Sequence, residues 1–410
     1  MKNNKKQYSG VAILFVLGML IALSPFSIDM YLPAFPAIAH SLQTSVASVG
    51  YSLTSYFAGL CIGQLIYGIL IDRFGRKKPL MTGLLIYLTA GIGCALCSGI
   101  GLLIIVRIFM ALGGCVGMVA ARAIVRDLYP PKDMAKKLSL LVLVMGVAPI
   151  VAPTIGGLVN TWLGWRWVFG VMALIGGLLL LGVHYVLPET KEPNTNVSLK
   201  IKHILPGYLT LLHNRTFLIY TLAGGISYAG MYAYIAGSPF VFMQKFGLSD
   251  TMYGWAFAFN ACGLISGSQL NRLALKRYSS AIISLTASCL LMLTGLALLF
   301  IACSGFAGAA LTLTFTFLFL FCIGFINPNT TALALSPFTA AAGRASALLG
   351  SVQMIAGVLA SWLVSFLNNG TIVIMPAVMF GCTLIPVSLL IYNWQYTRSR
   401  RHNQQPAIEI

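Results

Sequence analysis

Polar residues interrupt this chain at fairly regular intervals. Between the interruptions lie twelve apolar runs, at roughly 11–33, 46–70, 80–98, 102–126, 138–161, 165–187, 216–239, 252–273, 279–303, 308–334, 345–367 and 372–394. Each is about 20 residues long, the length an α-helix needs to cross the hydrocarbon core of a bilayer while satisfying its own backbone. The pattern predicts an all-α polytopic membrane protein with twelve transmembrane helices. The longest polar break separates an N-terminal six-helix half, residues 1–187, from a C-terminal six-helix half, residues 215–410, leaving 188–214 as a cytoplasmic linker. The two halves echo each other. After the second run the chain reads Gly68-Ile-Leu-Ile-Asp72-Arg73, and after the eighth Gly267-Ser-Gln-Leu-Asn271-Arg272. That repeat predicts two pseudo-symmetric bundles, one of the known transporter architectures.

Composition agrees: 58% of the 410 residues are hydrophobic and 8% are charged, against roughly 25% charged in a typical soluble domain. A net charge of +18 would ordinarily suggest nucleic acid. Here the basic residues instead sit in alternate gaps, such as Lys2, Lys5 and Lys6, then Arg73, Arg76, Lys77 and Lys78, and finally Arg398, Arg400 and Arg401. The intervening gaps keep only Arg166 and Lys245. This is the positive-inside asymmetry, and it places both termini in the cytoplasm and excludes a nucleic-acid partner. Hydrophobicity continues past Ile21 with no small-residue cleavage site, so the first run reads as a retained span rather than a signal peptide. The nine cysteines are scattered; Cys94 and Cys97 read as two small residues on one helix face, and no histidines make a metal-spaced pair. No disulfide framework, metal or other cofactor is implied. The absence of a G-x-x-x-x-G-K-[ST] run argues against nucleotide as the energy source.

Of eight acidic residues, seven fall in or beside gaps: Asp72, Asp127, Asp133, Glu189, Glu192, Asp250 and Glu409. Asp29 alone lies inside a run. An aspartate at helix-centre depth costs about 2.5 to 3.5 kcal/mol to insert, so it should face a bundle interior or a wet cavity. That makes it the first functional candidate, with a permanent structural pairing to an arginine as the alternative. Arg107, in the fourth run, falls toward the outer half of its span as Asp29 does, and a contact between them is geometrically possible. An anchoring arginine snorkelling outward is the other reading. Tyr56, Tyr232 and Asn260 stand in runs rich in aromatic and methionine residues, suited to a pocket for varied apolar ligands or, equally, to plain helix packing.

Two motifs add specificity. Gly68-x-x-x-Asp72-Arg73-x-Gly75-Arg76-Lys77-Lys78 resembles the signature loop of the major facilitator superfamily. In the fifth run, Gly146-x-x-Pro149-x-x-x-Pro153-x-x-Gly156-Gly157 resembles the motif of that superfamily's antiporters. Prolines free carbonyls and bend a helix, and paired glycines admit a close neighbour, so this segment can act as a pliant seam. Pro25-Phe-Ser-Ile-Asp29-Met-Tyr-Leu-Pro-Ala-Phe-Pro36, with Tyr56, Gly63, Gln64, Tyr67 and Gly68, is similar to the bicyclomycin-resistance (Bcr/CflA) branch of the drug:proton antiporters. Around Arg107 the family pattern is broken, since Met110 and Ala111 replace its usual polar residue and glycine.

The resemblance implies a monomeric exporter in the bacterial cytoplasmic membrane that exchanges small, largely hydrophobic compounds for protons by alternating access. It further implies proton coupling at Asp29 and Arg107, and a conformational latch at the signature loop. In that latch Arg76 would reach Asp127, and Asp72 the start of the eleventh span at Gly343 to Ser346. The rival within class is a facilitator or exporter of a specific metabolite, such as a sugar or amino acid. A membrane-embedded enzyme is disfavoured because Asp29 has no base or nucleophile beside it in sequence.

Overall fold

A computed structural model describes residues 10–194, 208–338 and 342–403, and the described residues are helical almost throughout. The first span is α1 (Gly10–Asp29), a 3-10 turn (Leu32–Ala34) and α2 (Phe35–Ser41). Then come α3 (Val46–Arg73), α4 (Lys77–Ala95), α5 (Ile100–Leu128), α6 (Pro131–Leu163) and α7 (Trp165–Val186). After the undescribed stretch 195–207 follow α8 (Arg215–Ser238), which runs into a π-helical turn (Pro239–Lys245), and α9 (Asp250–Ala274). The chain ends with α10 (Ser280–Cys303), α11 (Ala309–Leu335), α12 (Ala342–Phe366) and α13 (Ile374–Asn403).

All twelve predicted runs are therefore helical segments of spanning length. Ten are also apolar enough to cross a membrane by composition. The two that fall short are α8 and α9, of 24 and 25 residues. Their sequences carry Thr221, Ser227, Tyr228, Tyr232, Tyr234, Asn260, Ser266, Gln269 and Asn271, which lower hydropathy without shortening the helix. Local signals fix several ends. Ser45 accepts the Ser48 amide at 3.1 Å to start α3, and Ser279 accepts that of Ile282 to start α10.

Two compact units emerge, Met1–His203 with Ser238–Phe259, and Ile204–Gly237 with Asn260–Ile410. The first thus takes in the end of the seventh predicted run and the start of the eighth. Close backbone packing explains that assignment, because a Cβ on Gly254 would lie 3.1 Å from the Pro153 carbonyl of α6. Within the first unit α5 is the central element. Its Gly117 lies against the Leu20 carbonyl of α1, and its Ala111 against Gly59 of α3, so backbones replace side chains at the contact. The core of the second unit includes Phe217, Tyr220 and Ala223 of α8, packed with Ala334 of α11, Ala345 and Leu349 of α12, and Leu390 of α13.

Candidate functional site

Asp29 closes α1 where Pro33 and Pro36 break the first span, and only 4% of it remains exposed. No ion pair or hydrogen bond to its carboxylate occurs among the described residues. Arg107, fully buried on α5, does not pair with it. Its Nη1 donates to the Ser27 carbonyl at 3.1 Å and contacts the Met110 sulfur at 3.8 Å. The guanidinium carbon lies 4.5 Å from the Tyr31 ring centre, 4.3 Å from that of Tyr56 and 5.8 Å from that of Phe169. In place of the contact that was geometrically possible, an aromatic cage surrounds the guanidinium, in which each buried cation–π contact contributes up to about 2 kcal/mol. Met110, which departs from the family pattern, is one of the groups that touch it.

Tyr56, expected at a ligand pocket, is wholly buried over Arg107. Hydroxyls tie the cage together. Tyr31 shares a 2.6 Å hydrogen bond with Ser52, and Ser27 one of 2.6 Å with Tyr87. Tyr31, Ser27 and Tyr87 were not singled out by sequence, although Tyr31 stands two positions from the one intramembrane acid.

At the signature loop, Arg76 is 1% exposed. Its Nε donates to Asp127 at 2.8 Å, and its Nη1 to Asp72 at 2.9 Å and to the Ile71 carbonyl at 3.0 Å. The expected reach from Arg76 to Asp127 is present. Burial opposes the charge of Arg76, but the hydrogen bonds to Asp127 and Asp72 outweigh it and hold the guanidinium above its ordinary range. Asp72 takes a second partner, Lys191, at 2.7 Å. These are its partners within the first unit. Arg73 stacks near Phe74, at 5.7 Å from the ring centre, and its carbonyl accepts the Asn194 amide.

Gly75 has φ +81°, a left-handed conformation that glycine takes without strain. A Cβ there would also meet Glu189 Oε2 at 2.9 Å. Glu189 itself accepts the amides of Arg76 and Lys77 at 2.7 and 3.0 Å, capping α4. In return Lys77 Nζ donates to the His184 and Leu187 carbonyls at 2.7 and 2.9 Å, at the end of α7. This reciprocal capping was missed from sequence. Glu189 and Lys191 looked like ordinary loop charges, and nothing local tied them to a loop more than a hundred positions away. Gly68 is different: among the described residues nothing lies within 4 Å of a Cβ placed on it.

In α6 the motif glycines divide in the same way. Gly146 faces open space, whereas Gly156 packs directly on the Met30 carbonyl, one residue beyond Asp29. Gly157 lies on the backbone of Asp250 and Thr251, with a hypothetical Cβ 2.8 Å from the Asp250 carbonyl. One turn on, Asn160 donates to the Asp250 carboxylate at 2.7 Å. Pro149 and Pro153 lie inside the helix, each withholding one intrahelical bond. The seam thus touches the break in the first span directly.

In the second unit, Tyr232 is 6% exposed, with its hydroxyl 3.7 Å from the Met354 sulfur and its ring against Gly357. Asn260 is fully buried and donates to Tyr234 at 2.8 Å and Thr316 at 2.9 Å. No His, Cys, Asp and Glu group suited to a metal occurs among the described residues.

The described residues form helices of membrane-spanning length grouped in two compact units, with one acid buried at the break in the first span. Residues 17–361 match the Major Facilitator Superfamily, and the chain belongs to that family of transporters, not enzymes. It is 34% identical over 388 residues to "Uncharacterized MFS-type transporter YdgK" of Bacillus subtilis, covering 94% of this chain and 96% of the relative. It is 29% identical over 396 residues to "Bicyclomycin resistance protein homolog" of Haemophilus influenzae, covering 96% and 98% respectively. Its fold is that of a bacterial homolog of the human lysosomal transporter Spinster, solved in an inward-facing, occupied conformation. That match has TM-score 0.72 and 15% identity over 94% of this chain and 96% of that one.

Proposed function

We propose that this multi-pass membrane transporter exports small, largely hydrophobic toxic compounds in exchange for protons. Its setting is the bacterial cytoplasmic membrane, with both termini cytoplasmic and two six-helix halves alternating access as a monomer. Similarity to a bicyclomycin resistance protein homolog supports a drug-like substrate. The observation that carries the proton reading is Asp29, buried at a helix break with no cation bound to its carboxylate among the described residues. An acid in that setting loses little by being protonated, and a caged Arg107 nearby in the same bundle favours the anion whenever rearrangement brings the two together. Substrate and proton then compete for one state of the site. The contact of Gly156 with the Met30 carbonyl supports a seam in α6 that responds to that change.

Vesicles reconstituted with the protein, given a pH gradient and a lipophilic antibiotic dye, test the reading. Asp29→Asn should abolish gradient-driven accumulation while retaining ligand binding, and Asp29→Glu should keep part of it. Undiminished accumulation by Asp29→Asn would remove Asp29 from the coupling.

A further inference from the structure

Two pairs of amides join helices among the described residues of the second unit, and they are used differently. Asn271 and Asn329 are 3% and 1% exposed, and the Asn329 nitrogen donates both to Asn271 at 2.6 Å and to the Phe325 carbonyl at 2.8 Å. Asn327 of α11 and Gln353 of α12 are instead half-buried. Gln353 Nε2 donates to Asn327 Oδ1 at 2.9 Å, and the Thr331 hydroxyl approaches the same oxygen at 3.5 Å. The Asn327 nitrogen and the Gln353 oxygen bond to nothing among the described residues.

Both amides lie well inside their helices. Asn327 is about two turns from the end of α11 at Leu335, and Gln353 about three turns from the start of α12 at Ala342. At that depth lipid offers an amide no hydrogen bonds, so the open edges face water or a ligand. Turning both amides over exchanges their roles and leaves the same outward set, one donor and one acceptor. Because their other edges are joined, these two groups stay close together. A carboxamide or lactam, which carries an acceptor beside a donor, meets both, whereas an ester or ether meets only the donor. Neither side chain is charged, so the pair gives a charged ligand no counter-ion.

An apolar wall stands next to this pair. Gly225 of α8 lies beside Gln353, a Cβ on it falling 3.6 Å from the Gln353 Cα, and Tyr232, about two turns on, has its ring against Gly357 of α12. Tyr228 falls between them on the same helix face, half-buried, with its ring centre 5.6 Å from that of Tyr232 in an edge-to-face contact. Met354, the residue after Gln353, is half-buried too, with its sulfur at the Tyr232 hydroxyl.

We infer that Asn327 and Gln353 form a substrate subsite within the second unit, which takes the neutral amide-like group of an otherwise apolar compound while Tyr228 and Met354 take its apolar body. The subsite deepens the export reading above and rests on it for its physiological meaning.

The test is equilibrium binding to the full-length protein in nanodiscs, with no pH gradient. The probes are a phenyl-substituted carbostyril, which is a neutral fluorescent lactam, and its N-methyl derivative, which keeps the acceptor and loses the donor. The wild type should bind the lactam about tenfold more tightly, since the methylated probe leaves the acceptor of the pair unmet. Asn327→Leu and Gln353→Leu should bring that ratio to about one, mainly by weakening the lactam. Asn329→Ala, in the fully buried pair, should lower the unfolding midpoint and keep the ratio, which separates recognition from helix packing. Equal affinities in the wild type, no binding of either probe, or a ratio that survives both leucine variants overturns the subsite. If Asn327→Leu does not fold, the wild-type ratio and Gln353→Leu decide. Failure of gradient-driven accumulation in vesicles would instead remove the export reading and leave these affinities as measured.

Discussion

The sequence repeat places Gly68, Asp72 and Arg73 of the first unit opposite Gly267, Asn271 and Arg272 of the second, yet the two stretches are built on different chemistry. In the first, buried Arg76 joins Asp72 and Asp127 by charge-assisted bonds of 2.9 and 2.8 Å. In the second, Asn271 accepts from Asn329 of α11 at 2.6 Å, a neutral amide pair buried on both sides. The glycines are reversed too. Gly68 meets nothing, whereas Gly267 packs on the Phe321 carbonyl and Gly324 returns the contact against Leu264 and Ser268. One copy of the repeat is thus an ionic cluster that can be exchanged, and the other is a close-packed joint held by amides. Ion pairs can trade partners as elements move, while a backbone-on-backbone contact has one arrangement.

The largest effect should come from breaking the ionic copy. Arg76→Ala leaves Asp127 without its cation and Asp72 with Lys191 alone, at about 3 kcal/mol. That is the low end for a broken buried pair, since the Asp72 side chain is 43% exposed. Vesicle transport should fall at least about tenfold at normal membrane abundance, because such an energy spans more than one decade of a two-state equilibrium. Normal rates would mean that the cluster is ornamental. Next in size is the glycine reversal. Gly267→Ala should lower the unfolding midpoint measurably, by overpacking worth about 1 to 3 kcal/mol, while Gly68→Ala should leave it within about 0.5 kcal/mol. Equal sensitivity at the two positions would erase the contrast. Smallest is the amide pair. Asn329→Ala removes a neutral hydrogen bond at about 1 kcal/mol, and the loss should be the same in low and high salt, unlike that of Arg76→Ala.

Much of this was legible in the chain because it follows from periodicity and charge. Run length and the lone position of Asp29 required helices and a buried acid, and the spacing of Arg76 and Asp127 at the same ends of their spans made their contact readable. The Arg107 cage was not legible. Its stability comes from faces of Tyr31, Tyr56 and Phe169 on three separate elements, and no local spacing brings such rings together. The glycines show the same limit: sequence marks Gly68, Gly146, Gly156 and Gly157 alike, but only the last two lie where another backbone approaches. Glu189 escaped notice for want of any local pattern, since its partners sit 112 and 113 positions earlier.

That separation also bears on how the protein is made. The first turn of α4 is synthesised long before the carboxylate that caps it, and α7 cannot have its last carbonyls covered until Lys77 is already in place to receive them. The signature loop therefore passes through assembly unfastened, and closes only when the sixth span has been delivered to the membrane and the chain has moved on past Glu189. A truncated product ending before that point would carry every residue of the loop motif and still lack its clasp.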